Sequence, residues 1–114
     1  MYKFVLNVKP SRSSRRTYRV QVVIYDRLED LRRSVNGVFV DNSDTAGYYH
    51  ACRGRDFGRI GLWKELVGAG YLAHEIQHFI YDCMMDGETN NEKLAWMAGD
   101  LTSKFWTKWY EMYP

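Results

Sequence analysis

Residues 72–80 read LAHEIQHFI, and this stretch decides how the C-terminal half of the chain folds. His74 and His78 are four positions apart, so an α-helix places them one turn apart on the same face. Apart from Glu75 and the histidines, the stretch is uncharged. It therefore predicts an amphipathic helix whose histidines line a cleft and whose other face packs on a sheet. That apolar face consists of Leu72, Ile76, Phe79, Ile80 and Cys83.

The spacing of the two histidines suits a single metal ion. Imidazole nitrogens one helical turn apart can converge on a tetrahedral Zn²⁺ with little strain. Glu75 lies about 100° around the helix from His74, because the helix has roughly 3.6 residues per turn. We therefore predict that the Glu75 carboxylate reaches a water on the metal and accepts its proton. The alternative is a pair of polar histidines on an exposed helix face.

Outward from this helix, the periodicity of the chain predicts one α+β domain that spans residues 1–114. Alternating β-branched stretches predict strands, and apolar residues three or four positions apart predict helices. The predicted order is β-β-α-β-β-β-α-α, a small and mostly antiparallel sheet with one N-terminal helix and two C-terminal helices. The strands are expected at residues 2–8, 17–24, 38–40, 48–52 and 59–63, and the helices at residues 26–35, 65–85 and 91–112.

Charge is spread unevenly along a chain of ordinary globular composition. Apolar residues make up 46% of the 114 residues and charged residues 26%, as in other soluble domains. Residues 1–65 hold 13 Lys and Arg against 7 Asp and Glu, whereas residues 66–114 hold 3 against 7. The basic stretch at residues 9–16 predicts a solvated loop between two strands. Its functional alternative is a contact of Arg12, Arg15 and Arg16 with nucleic acid or another anionic partner.

The sequence predicts neither a signal peptide nor a membrane-spanning segment. Its N-terminus lacks a long apolar run, and the longest uncharged stretch in the second half, residues 66–74, is too short to cross a bilayer. Cys52 and Cys83 are too few for a disulfide framework, and we expect both to be buried thiols. These features favour a cytoplasmic protein without a membrane partner.

The HExxH motif at residues 74–78 resembles that of the zincin superfamily of zinc metallopeptidases, and the resemblance covers residues 57–105. Metzincins carry a Gly and a His three and six residues after the second histidine. This chain has Tyr81 and Met84 at those positions, so that branch is excluded. Gluzincins take a Glu from the next helix, often directly after an Asn, and Asn91 and Glu92 open the last predicted helix here. The resemblance is to compact gluzincin-like domains of bacterial and phage origin, and it implies Glu92 as the third zinc ligand.

Glu92 has a second interpretation, because Thr89 and Glu92 together form a capping box. In that role the Glu92 side chain would bond back to the backbone of Thr89. A stripe of small residues favours the ligand role, since it would let the last helix approach the motif helix closely. The stripe consists of Ala95, Gly99 and Ser103, and the other acidic candidates for the third ligand are Glu88, Asp82 and Asp86.

The resemblance implies a zinc-dependent peptide-bond hydrolase with Glu75 as the general base and a narrow protein or peptide substrate. An extended substrate would add to an edge strand at residues 57–63. His50 is an auxiliary candidate that would stabilise an oxyanion, and Tyr71 and Tyr81 are candidates that would reach the cleft. For all three, an ordinary structural role is the alternative.

Two other functions fit the same sequence. One is a non-catalytic zinc-fold binding module, which the small size of the chain favours. The other is a nucleic-acid-associated protein that docks through its basic N-terminal half. The sequence makes no prediction of the oligomeric state.

Overall fold

A computed structural model describes residues 1–34, 46–51, 57–85, 87 and 89–114. Within these ranges, four strands form one sheet with the order β1-β2-β4-β3. The strands are β1 (Tyr2–Val8), β2 (Tyr18–Tyr25), β3 (Gly47–Ala51) and β4 (Phe57–Trp63). The α-helices are α1 (Leu28–Ser34), α2 (Leu72–Met85) and α3 (Asn91–Met112). The predicted strand at residues 38–40 lies outside the described residues, as does Cys52.

The sheet is mostly antiparallel, which confirms the predicted α+β class. β1 pairs with β2 and β3 pairs with β4 in antiparallel register. The central pair, β2 and β4, is parallel, with Arg19 opposite Phe57 and Tyr25 opposite Trp63. Parallel neighbours need a long connection, and here that connection contains α1 and β3. The strand periodicity of the sequence does not predict this parallel pair, because it does not reveal which strand lies next to which.

Helices cover both faces of the sheet. Val20 and Val22 of β2 belong to the core cluster that α2 and α3 complete. Val23 and Tyr25 point to the other face and pack with Leu31 of α1. This explains why most of β2 is buried, since a strand covered on both sides has no solvent face. The two C-terminal helices therefore share one face of the sheet, and α1 lies on the other.

On their shared face, α3 contacts β1 and α2 contacts β3, at opposite edges of the sheet. The predicted apolar face of α2 is confirmed, because its five residues, Cys83 included, are all buried. The apolar stripe of α3 is buried as well, at Leu94, Met97, Leu101 and Phe105. The metal-motif helix is thus held on the sheet next to β3.

Several helix boundaries differ from the predicted ones. The motif helix was expected from residue 65, but a 3₁₀ turn (Lys64–Leu66) and a π turn (Val67–Tyr71) come before α2. Gly70 within that π turn has φ +89°, a conformation that suits glycine because it has no Cβ. Just before α1, the Asp26 carboxylate binds the N-terminal ammonium of Met1 at 2.5 Å.

Among the helices of the described residues, none combines the length and apolar character needed to cross a bilayer.

Candidate metal centre

His74 and His78 converge at the surface of α2, as their spacing predicts. Their Nε2 atoms are 3.2 Å apart, and their rings meet nearly at right angles with centroids 4.8 Å apart. Both side chains are exposed. Two Zn–N bonds of about 2.0–2.1 Å at a tetrahedral angle would separate the nitrogens by roughly 3.3 Å. The observed separation therefore fits two nitrogens that share one metal ion.

Glu75 completes a group of three side chains with metal-binding atoms. The ligand-type atoms of His74, Glu75 and His78 all lie within 4.8 Å of one another. Glu75 Oε1 lies 3.8 Å from His74 Nε2, which is too far for a hydrogen bond but close enough for both to reach one small ion or its water. The Glu75 carboxylate therefore lies next to the histidine pair, as the motif predicts. It lies on the buried side of the pair.

Burial sets Glu75 apart from its neighbours. The residue is only 4% exposed, and no described residue donates a hydrogen bond to its buried Oε2. Burial raises the pKa of the Glu75 carboxyl from 4.5 to about 7, because a low-dielectric surrounding disfavours the charged form. Buried carboxylates are almost always paired, so the position of this one calls for a cationic partner. A metal ion at the two histidines would supply that positive charge.

Tyr49 of β3 is the neighbour of the histidine pair that the sequence analysis missed. Its hydroxyl donates a 2.6 Å hydrogen bond to Asp82 Oδ2, one helical turn beyond His78. The Tyr49 ring lies parallel to the His78 imidazole, with an interplanar angle of 10° and a centroid distance of 6.3 Å. The edge of Phe79 meets the same tyrosine ring. Tyr49 therefore ties β3 to α2 at the level of the histidines and lies beside the His78 ring.

The structure does not bring Glu92 to the histidine pair. Glu92 lies exposed in the first turn of α3 and lines a depression with Pro10, Ser11 and Arg12 of the basic loop. The small-residue stripe that favoured the ligand role is not buried in a close contact between helices, since Ala95, Gly99 and Ser103 are all exposed. α3 instead packs through its large apolar stripe, which turns Glu92 away from the metal motif.

The capping interpretation of Glu92 is corrected as well. The N-cap of α3 is Asn90, whose Oδ1 accepts a 3.1 Å hydrogen bond from the backbone N–H of Lys93. The cap therefore starts one residue later than the predicted capping box at Thr89, and Glu92 is not at the reciprocal position. Of the other acidic candidates, Asp82 already accepts from Tyr49, and Asp86 and Glu88 lie outside the described residues. The identity of a third protein ligand stays a prediction.

The auxiliary candidates take different positions. Successive residues of a strand point to opposite faces, so His50 faces away from the side on which Tyr49 meets His78. Tyr71 is half-buried and packs on the main core cluster, and Tyr81 is 57% exposed on α2. The position of His50 gives no support to a role beside the histidine pair, and Tyr71 has the packing role that was the alternative.

The strand expected to receive substrate is corrected by the sheet order. β4 lies between β2 and β3, so both of its edges are paired and it cannot accept another strand. Within the described part of the chain, β3 is the edge strand next to α2. The period of a strand does not show whether it lies at an edge, so only the assembled sheet reveals this.

The three arginines of the basic loop, Arg12, Arg15 and Arg16, are all exposed. The Arg16 guanidinium lies over the Tyr18 ring, 4.8 Å from its centroid, and Arg12 lines the depression that also contains Glu92. The loop therefore lies against the N-terminal part of α3, at the sheet edge away from the histidines.

Comparisons with known proteins give no further assignment. No protein-family model, no curated protein and no solved structure matches the chain.

Proposed function

We propose that this chain is a zinc-dependent hydrolase of peptide bonds, with His74 and His78 as metal ligands and Glu75 as the general base. The observation that carries the proposal is the 3.2 Å approach of the two Nε2 atoms beside a buried carboxylate. A chance histidine pair on a helix surface has no reason to lie beside a buried carboxylate whose Oε2 receives no hydrogen bond from any described residue. The resemblance to zincins favours zinc and peptide hydrolysis over other metals and reactions.

Glu75 and the histidines divide the chemistry between them. His74 and His78 would hold the ion, and Zn²⁺ when bound supplies Lewis acidity that polarises a carbonyl and lowers the pKa of water. Glu75 accepts a proton from the water that attacks the scissile carbonyl carbon. As the new C–O bond forms and the C–N bond breaks, Glu75 returns that proton to the leaving amine nitrogen. Its burial shields the carboxylate from bulk water during both transfers.

An extended peptide is the substrate that best suits the surroundings of the centre. β3 is an edge strand of the described sheet, and its Tyr49 lies beside His78. A peptide that pairs with β3 in extended form would therefore pass close to the histidine pair. The small size of the domain leaves little surface for further subsites, which favours a narrow protein or peptide substrate.

A second function, a non-catalytic metal-binding module, has one observation in its favour. With Glu92 turned away, Glu75 is the carboxylate that joins the two histidines in the described metal-binding group. If Glu75 itself coordinates the metal, the site has three ligands but no base. The two functions therefore assign opposite roles to one side chain.

Measuring metal content and cleavage in a Glu75→Gln variant separates these roles. As the general base, Glu75 is not a ligand, so the variant should keep zinc measured by mass spectrometry and lose all cleavage of a peptide library. His74→Ala and His78→Ala should lose zinc, and Glu29→Gln, on α1 across the sheet, is the matched control that should change neither. Zinc lost from Glu75→Gln would support the binding module. Full zinc content in the double histidine variant would refute the site.

A further inference from the structure

A groove runs between α3 and the N-terminal basic loop, at the β1 edge of the sheet. Two adjoining depressions, of about 260 and 370 Å³, form it and share the side chains of Ser11, Arg12 and Trp96. The histidine pair lies beside β3, the opposite edge of the sheet. The groove is therefore a surface separate from the metal centre.

The walls of the groove carry an excess of positive charge. The loop contributes Lys9 and Arg12, and α3 contributes Lys93 and Lys104. Two carboxylates oppose these four cations, and one of them, Asp100, is already engaged by Lys104 at 2.8 Å.

Lys104 also anchors one end of the groove. Its Nζ donates a 2.7 Å hydrogen bond to the carbonyl oxygen of Asn7 at the end of β1. Lys104 and Asp100 therefore form a fixed, neutralised wall between helix and strand. The cations that remain, Lys9, Arg12 and Lys93, are exposed, and within the described residues none of them forms an ion pair.

Trp96 lies among these three cations. It borders both depressions, and 50% of it is exposed. A lone exposed apolar residue needs no explanation. An exposed indole among unpaired cations, however, suits a ligand that combines flat rings with negative charge. Single-stranded nucleic acid presents unstacked base faces next to phosphates, and proteins bind it with aromatic platforms set in a positively charged groove.

We propose that this groove binds a short segment of single-stranded nucleic acid, with a base stacked on Trp96 and phosphates next to Lys9, Arg12 and Lys93. Charge complementarity favours a polyanion, and the indole favours bases over the side chains of an acidic polypeptide. A duplex is a poorer fit, because its base faces are stacked and only its groove edges are open to a protein.

Fluorescence anisotropy of a labelled 12-mer of oligo-dT or oligo-U, at low salt, tests the proposal. Trp96→Ala should weaken binding about 5- to 150-fold, the range for loss of one base–aromatic stack. Trp96→Phe keeps an aromatic face and should lose much less, which also guards against misfolding of the alanine variant. Binding by Trp96→Ala that equals wild type, or no binding by wild type at 50 mM salt, would overturn the proposal.

A charge-matched pair of double variants tests the phosphate contacts. Arg12→Ser with Lys93→Ser should flatten the slope of log affinity against log salt by about 1.4, since each phosphate contact to a single strand contributes roughly 0.7. The control removes the same charge with Arg27→Ser and Arg33→Ser, at α1 across the sheet, and should change the slope far less.

Competitors then decide the class of ligand. A polyglutamate peptide or a duplex of equal length should displace the 12-mer only weakly. A polyglutamate peptide that binds as tightly as the 12-mer, and equally tightly to Trp96→Ala, would identify an acidic polypeptide as the ligand and refute the nucleic-acid proposal. Equal affinity for the duplex would refute the stacking arrangement in the same way.

Discussion

Removing the hydroxyl of Tyr49 tests whether the tie between β3 and α2 holds the metal centre in place. Tyr49→Phe keeps the ring that lies parallel to His78 but deletes the donor of the 2.6 Å hydrogen bond to Asp82. A hydrogen bond to a charged group contributes about 1.5–3 kcal/mol net. Tyr49 and Asp82 are only half-buried, so we expect the variant to lose about 1–2 kcal/mol of unfolding free energy.

Urea denaturation of metal-free protein measures this loss, and a double-mutant cycle with Asp82→Asn assigns it to the pair. The coupling free energy between Tyr49 and Asp82 should be about 1 kcal/mol, whereas Tyr110→Phe, at an exposed tyrosine of α3, should match wild type. Zinc affinity should also fall, by at most about 10-fold, because losing this bond loosens the contact that places the Tyr49 ring beside His78. Additive single effects would show that Tyr49 and Asp82 do not interact, and unchanged zinc affinity would show that their hydrogen bond does not position His78.

Three further predictions concern the carboxylate, the helix cap and the sheet. Burial raises the pKa of Glu75 to about 7, so its contribution to stability is fully present below pH 4.5 and is lost as pH rises through 7. The unfolding free energy of metal-free Glu75→Gln should therefore match that of wild type at pH 4 and exceed it at pH 8, by at most about 3 kcal/mol. Denaturation curves that show no difference at pH 8 would contradict this. Asn90→Ala should cost about 1 kcal/mol of unfolding free energy through the lost cap, and Thr89→Ala should cost almost nothing; the reverse order would restore the capping box. A Cβ at Gly61 would lie 1.8 Å from the Tyr48 ring, so Gly61→Ala should lower the melting temperature by several degrees; the same substitution made in a Tyr48→Ala variant, which has no ring at this position, should lower that variant's melting temperature far less.

The metal motif was predictable because its geometry is local. Two residues four apart on a helix are neighbours whatever the helix packs against, so His74 and His78 converge as their spacing requires. The apolar face of α2 follows from the same 3.6-residue period. Strand alternation likewise placed β1, β2 and β4 close to their observed ranges, and the last helix begins at Asn91 as predicted.

These periodicities do not show how one helix or strand packs against another. Whether Glu92 meets the histidines depends on which face of α3 packs on α2, and burial of Leu94 and Met97 turns Glu92 outward. The resemblance to zincins implied Glu92 as a ligand, but it does not show how α3 is rotated about its own axis. That rotation results from the sum of many apolar contacts, and no single residue along the sequence encodes it.

The sequence by itself therefore determined the helices, most of the strands and the pair of histidines, since local hydrogen bonding and periodicity control these features. Only the tertiary structure decided that β2 and β4 run parallel, that β3 lies at the edge, and that Glu75 is buried. It also decided that Tyr49 lies beside His78 and that Trp96 lies among the cations of the basic loop. Each of these depends on two segments distant in sequence, which packing of the shared core brings together.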